Sequence, residues 1–265
     1  MKQLLFIVAS LLLLTSCEKE IDLQLEDKSG NLVVEGSITN QPGPHYVRVT
    51  RSVVFTEPNQ YPEVANALVV ISDNTGQTET LQYVADGIYK TNQLVGIPGN
   101  TYTLRLTVGG TSYTAQSTMP QPVTLDSLQQ GTFSFGGEIT YNVRPIFTDP
   151  VPLGNRYLFL LSINGGKRKF LETFSDNVNN GLVNQRNLIV PMNGEENAKI
   201  GDTIQVEMHG IDQHIYSYYN AVNQILGEGG PGGGITPANP PSNISNGALG
   251  YFSAHTSTVK NIIIR

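Results

Sequence analysis

The sequence predicts a mainly β protein in two parts, an N-terminal antiparallel sandwich and a C-terminal β-rich domain that carries one α-helix. Three observations predict it. Apolar residues recur at every second position through much of the chain, Gly- and Asn-containing turn signals separate those runs at short intervals, and a single segment carries a helical stripe.

The 265 residues are 39% hydrophobic and only 14% charged, so the surface must be built largely from Thr, Ser, Asn and Gln. With 16 basic against 22 acidic residues there is no stripe of Lys and Arg to neutralise phosphates, which argues against nucleic-acid binding. Cys17 is the single cysteine, and a disulfide scaffold is excluded.

Residues 1–16 read as a signal peptide: Lys2, an apolar run from Leu4 to Leu14, then Thr15 and Ser16. That run falls short of the roughly 20 apolar residues a spanning helix needs. Leu14-Thr15-Ser16-Cys17 resembles the bacterial lipobox, in which the Cys thiol receives a diacylglycerol and the leader is cut before it. The expectation is lipidation at Cys17 and a membrane held through acyl chains, two or more of which anchor a protein durably. Residues 17–30 then form a tether. Its acidic start, Glu18, Lys19, Glu20 and Asp22, resembles signals that send lipoproteins of Bacteroidota to the outer face of the outer membrane.

Residues 31–120 carry the predicted sandwich. Thr101 to Val108 alternates strictly, with Tyr102, Leu104, Leu106 and Val108 on one face. Similar strands are expected at Asn31–Thr39, His45–Val54, Leu68–Ser72, Thr78–Val84, Ile88–Thr91 and Thr111–Thr118. Asn74-Thr75-Gly76, Asp86-Gly87 and Gly109-Gly110 supply the positive φ angles of hairpin turns. The run from Gly96 to Leu104 resembles the closing strands of transthyretin-like and immunoglobulin-like modules.

Pro120 and Pro122 mark the expected boundary, and residues 121–265 form the second part. Strands are expected at Ile139–Phe147, Arg156–Ile163, Lys167–Phe174, Leu188–Pro191, Thr203–Ile211 and Thr258–Ile264. Leu158 to Leu161 is apolar on both faces and suits a central strand. Asp176 to Asn187 is expected to be a mobile loop. Asp212 is a good N-cap for a helix over about 213–226, whose stripe is Ile215, Tyr218, Tyr219, Val222, Ile225 and Leu226. A Gly/Pro loop over 227–243 follows.

Nearly the whole mature chain resembles a family of Bacteroidota lipoproteins built on a domain of unknown function, often encoded beside TonB-dependent outer-membrane receptors. The residues that carry the likeness are Cys17 to Asp22, Leu32 to Asn40, Ser117 to Pro120 and, most specific, Asn243 to Phe252. The resemblance implies an outer-membrane location and a non-catalytic accessory role, docking on such a receptor or binding a ligand for it. It brings no catalytic residues and no cofactor.

The residues themselves offer few chemical signals. Glu207 and His209 share one strand face and His214 opens the helix, a set that zinc could use, although the spacing matches no recognisable zinc motif. Gly227 to Gly232 formally satisfies the dinucleotide fingerprint, but a helix precedes it and prolines follow, so the match is accidental. No GxSxG elbow, phosphate-binding loop or HExxH occurs. His45 and His255 stand apart, and a catalytic triad would require tertiary contacts that sequence does not reveal. Tyr216, Tyr251 and Phe252 are candidates to present flat faces to a ligand or partner, Tyr216 because it lies off the helix stripe. Two further classes of function stay open at this point, a structural or adhesive surface protein and a lipid-anchored hydrolase.

Overall fold

The computed structural model describes residues 30–54, 60–135, 138–177, 180–189, 198–227 and 239–265. The expected signal peptide, Cys17 and the tether up to residue 29 lie outside the described residues, as does most of the Gly/Pro loop. The protein is mainly β, with 51% of residues in strands and 6% in helix, and no sheet closes into a barrel. Among the described residues, no helix is long and apolar enough to cross a membrane.

In the first part the strands are β1 (Leu32–Thr39), β2 (Tyr46–Arg51), β3 (Leu68–Asp73), β4 (Thr78–Thr80), β5 (Gln82–Ala85), β6 (Ile88–Lys90), β7 (Thr101–Val108) and β8 (Thr111–Thr118). The expected single strand Thr78–Val84 is broken at Leu81. The chain there leaves one sheet, where β4 pairs with β3, for another, where β5 pairs with β6, while the buried Leu81 donates its N–H to the Val69 carbonyl.

In the second part come β9 (Ser127–Phe135), β10 (Glu138–Ile146), β11 (Arg156–Ile163), β12 (Lys169–Ser175), β13 (Leu188–Ile189), β14 (Thr203–Gly210), α1 (Gln213–Gly227) and β15 (Leu249–Ile263). The final strand is therefore far longer than the expected Thr258–Ile264, and β9 is an addition. Residues 180–187 carry no regular secondary structure, but the expected loop is tied down. Asn184 is fully buried and donates to the carbonyls of Pro145 and Arg186, and Val183 bridges Thr148.

The strands form three sheets. The largest runs β12-β11-β14-β15-β1-β2-β6-β5, and the others run β13-β10-β9 and β4-β3-β7-β8. All pairings are antiparallel except β1 with β15, which matches Ser37 to Ser253 and Thr39 to His255. The long sheet thus takes strands from both sides of Pro120, with the last strand inserted beside the first. The apolar core still divides in two. Val34, Ile38, Val47 and Val49 of the long sheet pack against Val69, Ile71, Leu104 and Leu106 of the four-stranded sheet. Phe159, Val206 and Met208 pack near the other end with Val143 and Leu188 of the three-stranded sheet.

The register explains this division of labour. Met208, Phe252, Ala254, Val34 and Ile38 fall on one face of the long sheet and enter the two cores. The residues between them, Glu207, His209, Tyr251, Ser253, His255, Ser37 and Thr39, fall on the opposite face. Gly250 permits the approach of β15 to β1: its φ is +91°, and a Cβ there would collide with the Val34 carbonyl oxygen. Helix α1 covers part of that opposite face through Ile215, Tyr216 and Tyr219, which pack with Leu158, Leu160 and Tyr251. Asp212 caps it as expected, its Oδ1 accepting the Ile215 N–H at 2.9 Å and its Oδ2 accepting the Ser117 hydroxyl at 2.5 Å.

A candidate ligand pocket

Beside α1, the second face of the long sheet forms a pocket of about 500 Å³, within the roughly 300–1,000 Å³ typical of small-molecule sites. Strand β15 supplies Tyr251, Ser253, His255 and Ser257 at every second position. From β14 come Glu207 and His209, from β1 Ser37 and Thr39, and from β11 Leu158 and Leu160. The segment leading into β2 adds Gln41, Pro42, Pro44 and His45, β2 itself adds Tyr46, and Arg168 stands before β12. Three of the four histidines in the chain line this one pocket.

The polar groups are tightly organised. Glu207 accepts from Arg168 Nη1 at 2.7 Å, from the Ser257 hydroxyl at 2.8 Å and from His209 Nε2 at 2.7 Å. Burial works against its charge, but the His209 hydrogen bond and charge, together with Arg168 and Ser257, outweigh burial and hold the carboxyl well below its usual range. The His209 ring stacks on His255, with centroids 4.1 Å apart and planes 23° apart. His255 Nδ1 shares a 2.9 Å hydrogen bond with the Ser253 hydroxyl. Burial, reinforced by the neighbouring His209, pushes the His255 pKa well below 6.5, so the ring is neutral.

His45 is buried as well, which lowers its pKa, although Glu79 and a hydrogen bond to the Leu94 backbone oppose the shift. Its main-chain N–H donates to Thr91 Oγ1 at 2.8 Å. The ring Nε2 is buried and makes no hydrogen bond. At the helix side, the Tyr219 and Tyr251 hydroxyls lie 2.9 Å apart, and burial raises both phenols. Tyr46 lines the pocket and is 51% exposed.

The structure sorts the residues named from sequence. Glu207 and His209 meet as expected, but His214 is exposed on α1, and among the described residues no group of three His, Cys, Asp or Glu side chains is placed to hold a metal ion. Tyr251 does line the pocket. Tyr216 is half-buried against the sheet, with the Arg156 guanidinium 5.8 Å from its ring centroid, rather than free at the surface. Phe252 is fully buried, because its position in β15 points it into the sandwich core, one residue out of phase with the pocket. Sequence reasoning missed Ser253, Ser257 and the convergence of His45, His209 and His255. The signal was present as Ser-x-His-x-Ser beside Glu-x-His, two period-two polar rows whose strands become neighbours.

A Ser–His contact alone does not make a hydrolase. The far nitrogen of His255 carries no carboxylate partner among the described residues, whereas Glu207 serves His209 instead. The pocket is polar, half-open to solvent at Tyr46 and Arg168, framed by strands and lined by Tyr46, Tyr219 and Tyr251. The molecule is thus a mainly β protein with a half-open polar pocket on the helix-covered face of its long sheet. The chain belongs to the DUF4249 family, a domain of unknown function, whose family model matches residues 18–261. No curated protein matches it.

Proposed function

We propose that this protein is a lipid-anchored, non-catalytic component of the bacterial outer membrane that holds a small ligand in the β14–β15–β1 pocket and serves a TonB-dependent receptor. The observation that carries the reading is the pocket itself. Imidazoles and hydroxyls from four strands converge there, at a desolvation cost that a purely structural sheet face would avoid by using apolar residues. The Leu14-Thr15-Ser16-Cys17 motif supports the anchor, and the likeness to lipoproteins encoded beside such receptors supports the partner.

Co-purification from detergent-solubilised outer membranes, read by mass spectrometry, tests the reading. The expected result is recovery of a TonB-dependent receptor with the wild-type chain and loss of membrane association in Cys17→Ser. Membrane fractionation of Cys17→Ser, or a wild-type chain recovered without any receptor, contradicts it.

A further inference from the structure

We propose that the pocket takes an uncharged, polyhydroxylated ligand such as a sugar ring, hydrogen-bonded by His45, His255 and the hydroxyls of β1 and β15, with Tyr46 as a platform at the mouth. This rests on the reading of the pocket as a ligand site.

The charge balance selects an uncharged ligand. Glu207 is the one carboxylate among the lining residues, and three donors at 2.7–2.8 Å already occupy it, so little of its charge is left to attract a cation. Arg168 is the one lining cation that is charged at all pH values, and it is paired with that carboxylate. An anion would want protonated imidazoles, and the burial of His45 and His255 opposes their protonation. A metal ion would want converging ring nitrogens. The nearly parallel stack of His209 on His255 sets their in-plane lone pairs side by side instead.

What remains is a wall of neutral groups. Each hydroxyl both donates and accepts, and each neutral imidazole offers one donor and one acceptor, the complement of a ring bearing several hydroxyls. His45 Nε2 is buried without a partner, a deficit that a ligand hydroxyl would satisfy. Pro42, Pro44 and the half-exposed Tyr46 give an apolar rim for the C–H face of such a ring.

The test is calorimetry on the full chain in a zwitterionic detergent. The neutral probes are galactose, N-acetylglucosamine, maltose and myo-inositol; the charged probes are citrate, inorganic phosphate and zinc. The expected result is saturable binding of at least one neutral probe, with less than about twofold change between low and high salt. His45→Phe and Tyr46→Ala should each weaken it by about tenfold or more. If His45→Phe does not fold, judged by circular dichroism, His45→Gln takes its place. Silence of all four neutral probes overturns the proposal. Binding of citrate, phosphate or zinc that is lost in the His45 variant overturns the ligand class but leaves the pocket reading standing. If no probe binds and no molecule co-purifies with the wild-type chain, the pocket reading falls too.

Discussion

The imidazole of His255 lies under that of His209, 4.1 Å from centroid to centroid, and neither ring is open to bulk solvent. Two basic side chains in contact, in a place where one is held neutral by burial, make the site sensitive to acid.

Stability should therefore depend on pH in a defined window. His45 and His255 have folded-state pKa values below 6.5, so below that pH the unfolded chain binds more protons than the folded one. Their contribution is fully present above about pH 7.5 and is lost as pH falls through 6.5 toward the folded values, with a slope of at most about 1.4 kcal/mol per pH unit for each histidine. A further loss should begin below about pH 4.5, where the unfolded chain protonates Glu207 before the folded one does. Urea unfolding at pH 7.5, 6.0 and 5.0 checks this, and His255→Phe should flatten the upper part of the profile.

The two partners of the Glu207 ion pair should respond unequally to truncation. Glu207→Ala strands the buried His209 and Ser257 groups and should cost about 2–4 kcal/mol. Arg168 is 61% exposed, and Arg168→Ala should cost less than about 1 kcal/mol. Chemical denaturation of the two variants decides it; equal costs would mean that the carboxylate is held by the arginine alone.

At Gly250, a side chain meets both a left-handed φ and the Val34 carbonyl. Gly250→Ala should lower stability by at least about 2 kcal/mol. Because β15 reaches β1 at this point, amide exchange should show the loss of protection in both strands.

Asp212→Ala should cost about 1–2 kcal/mol, through the lost cap of α1 and the lost partner of the Ser117 hydroxyl. Ser117 Oγ also accepts the Ala254 N–H, so the effect should reach β15. Asp212→Asn, which keeps a capping oxygen, should restore most of the loss in thermal unfolding.

How much of this was legible in the sequence follows from how each residue is paid for by its neighbours. Strands such as β7 alternate apolar and polar residues because one face meets a core and the other meets water, and the period is visible in Tyr102, Leu104 and Leu106. The helix was legible for the same reason, from Asp212 and its stripe. The first half of β15 was not. Both of its faces are buried from Phe252 to Ser257, one in the core and one in the pocket, so small and polar residues occupy both and no hydropathy period survives. The pocket was hidden for a second reason, that it depends on the parallel pairing of the last strand with the first. Glu207 and His209 are legible from their shared strand face, whereas His45 and His255 come to line one pocket only through that topology.

Native mass spectrometry of the full chain, purified from the cells that make it, tests the central claim most directly. The wild-type protein should carry a bound uncharged molecule that His45→Phe lacks. A bare wild-type chain, or a molecule retained unchanged by the variant, would contradict a ligand held in this pocket.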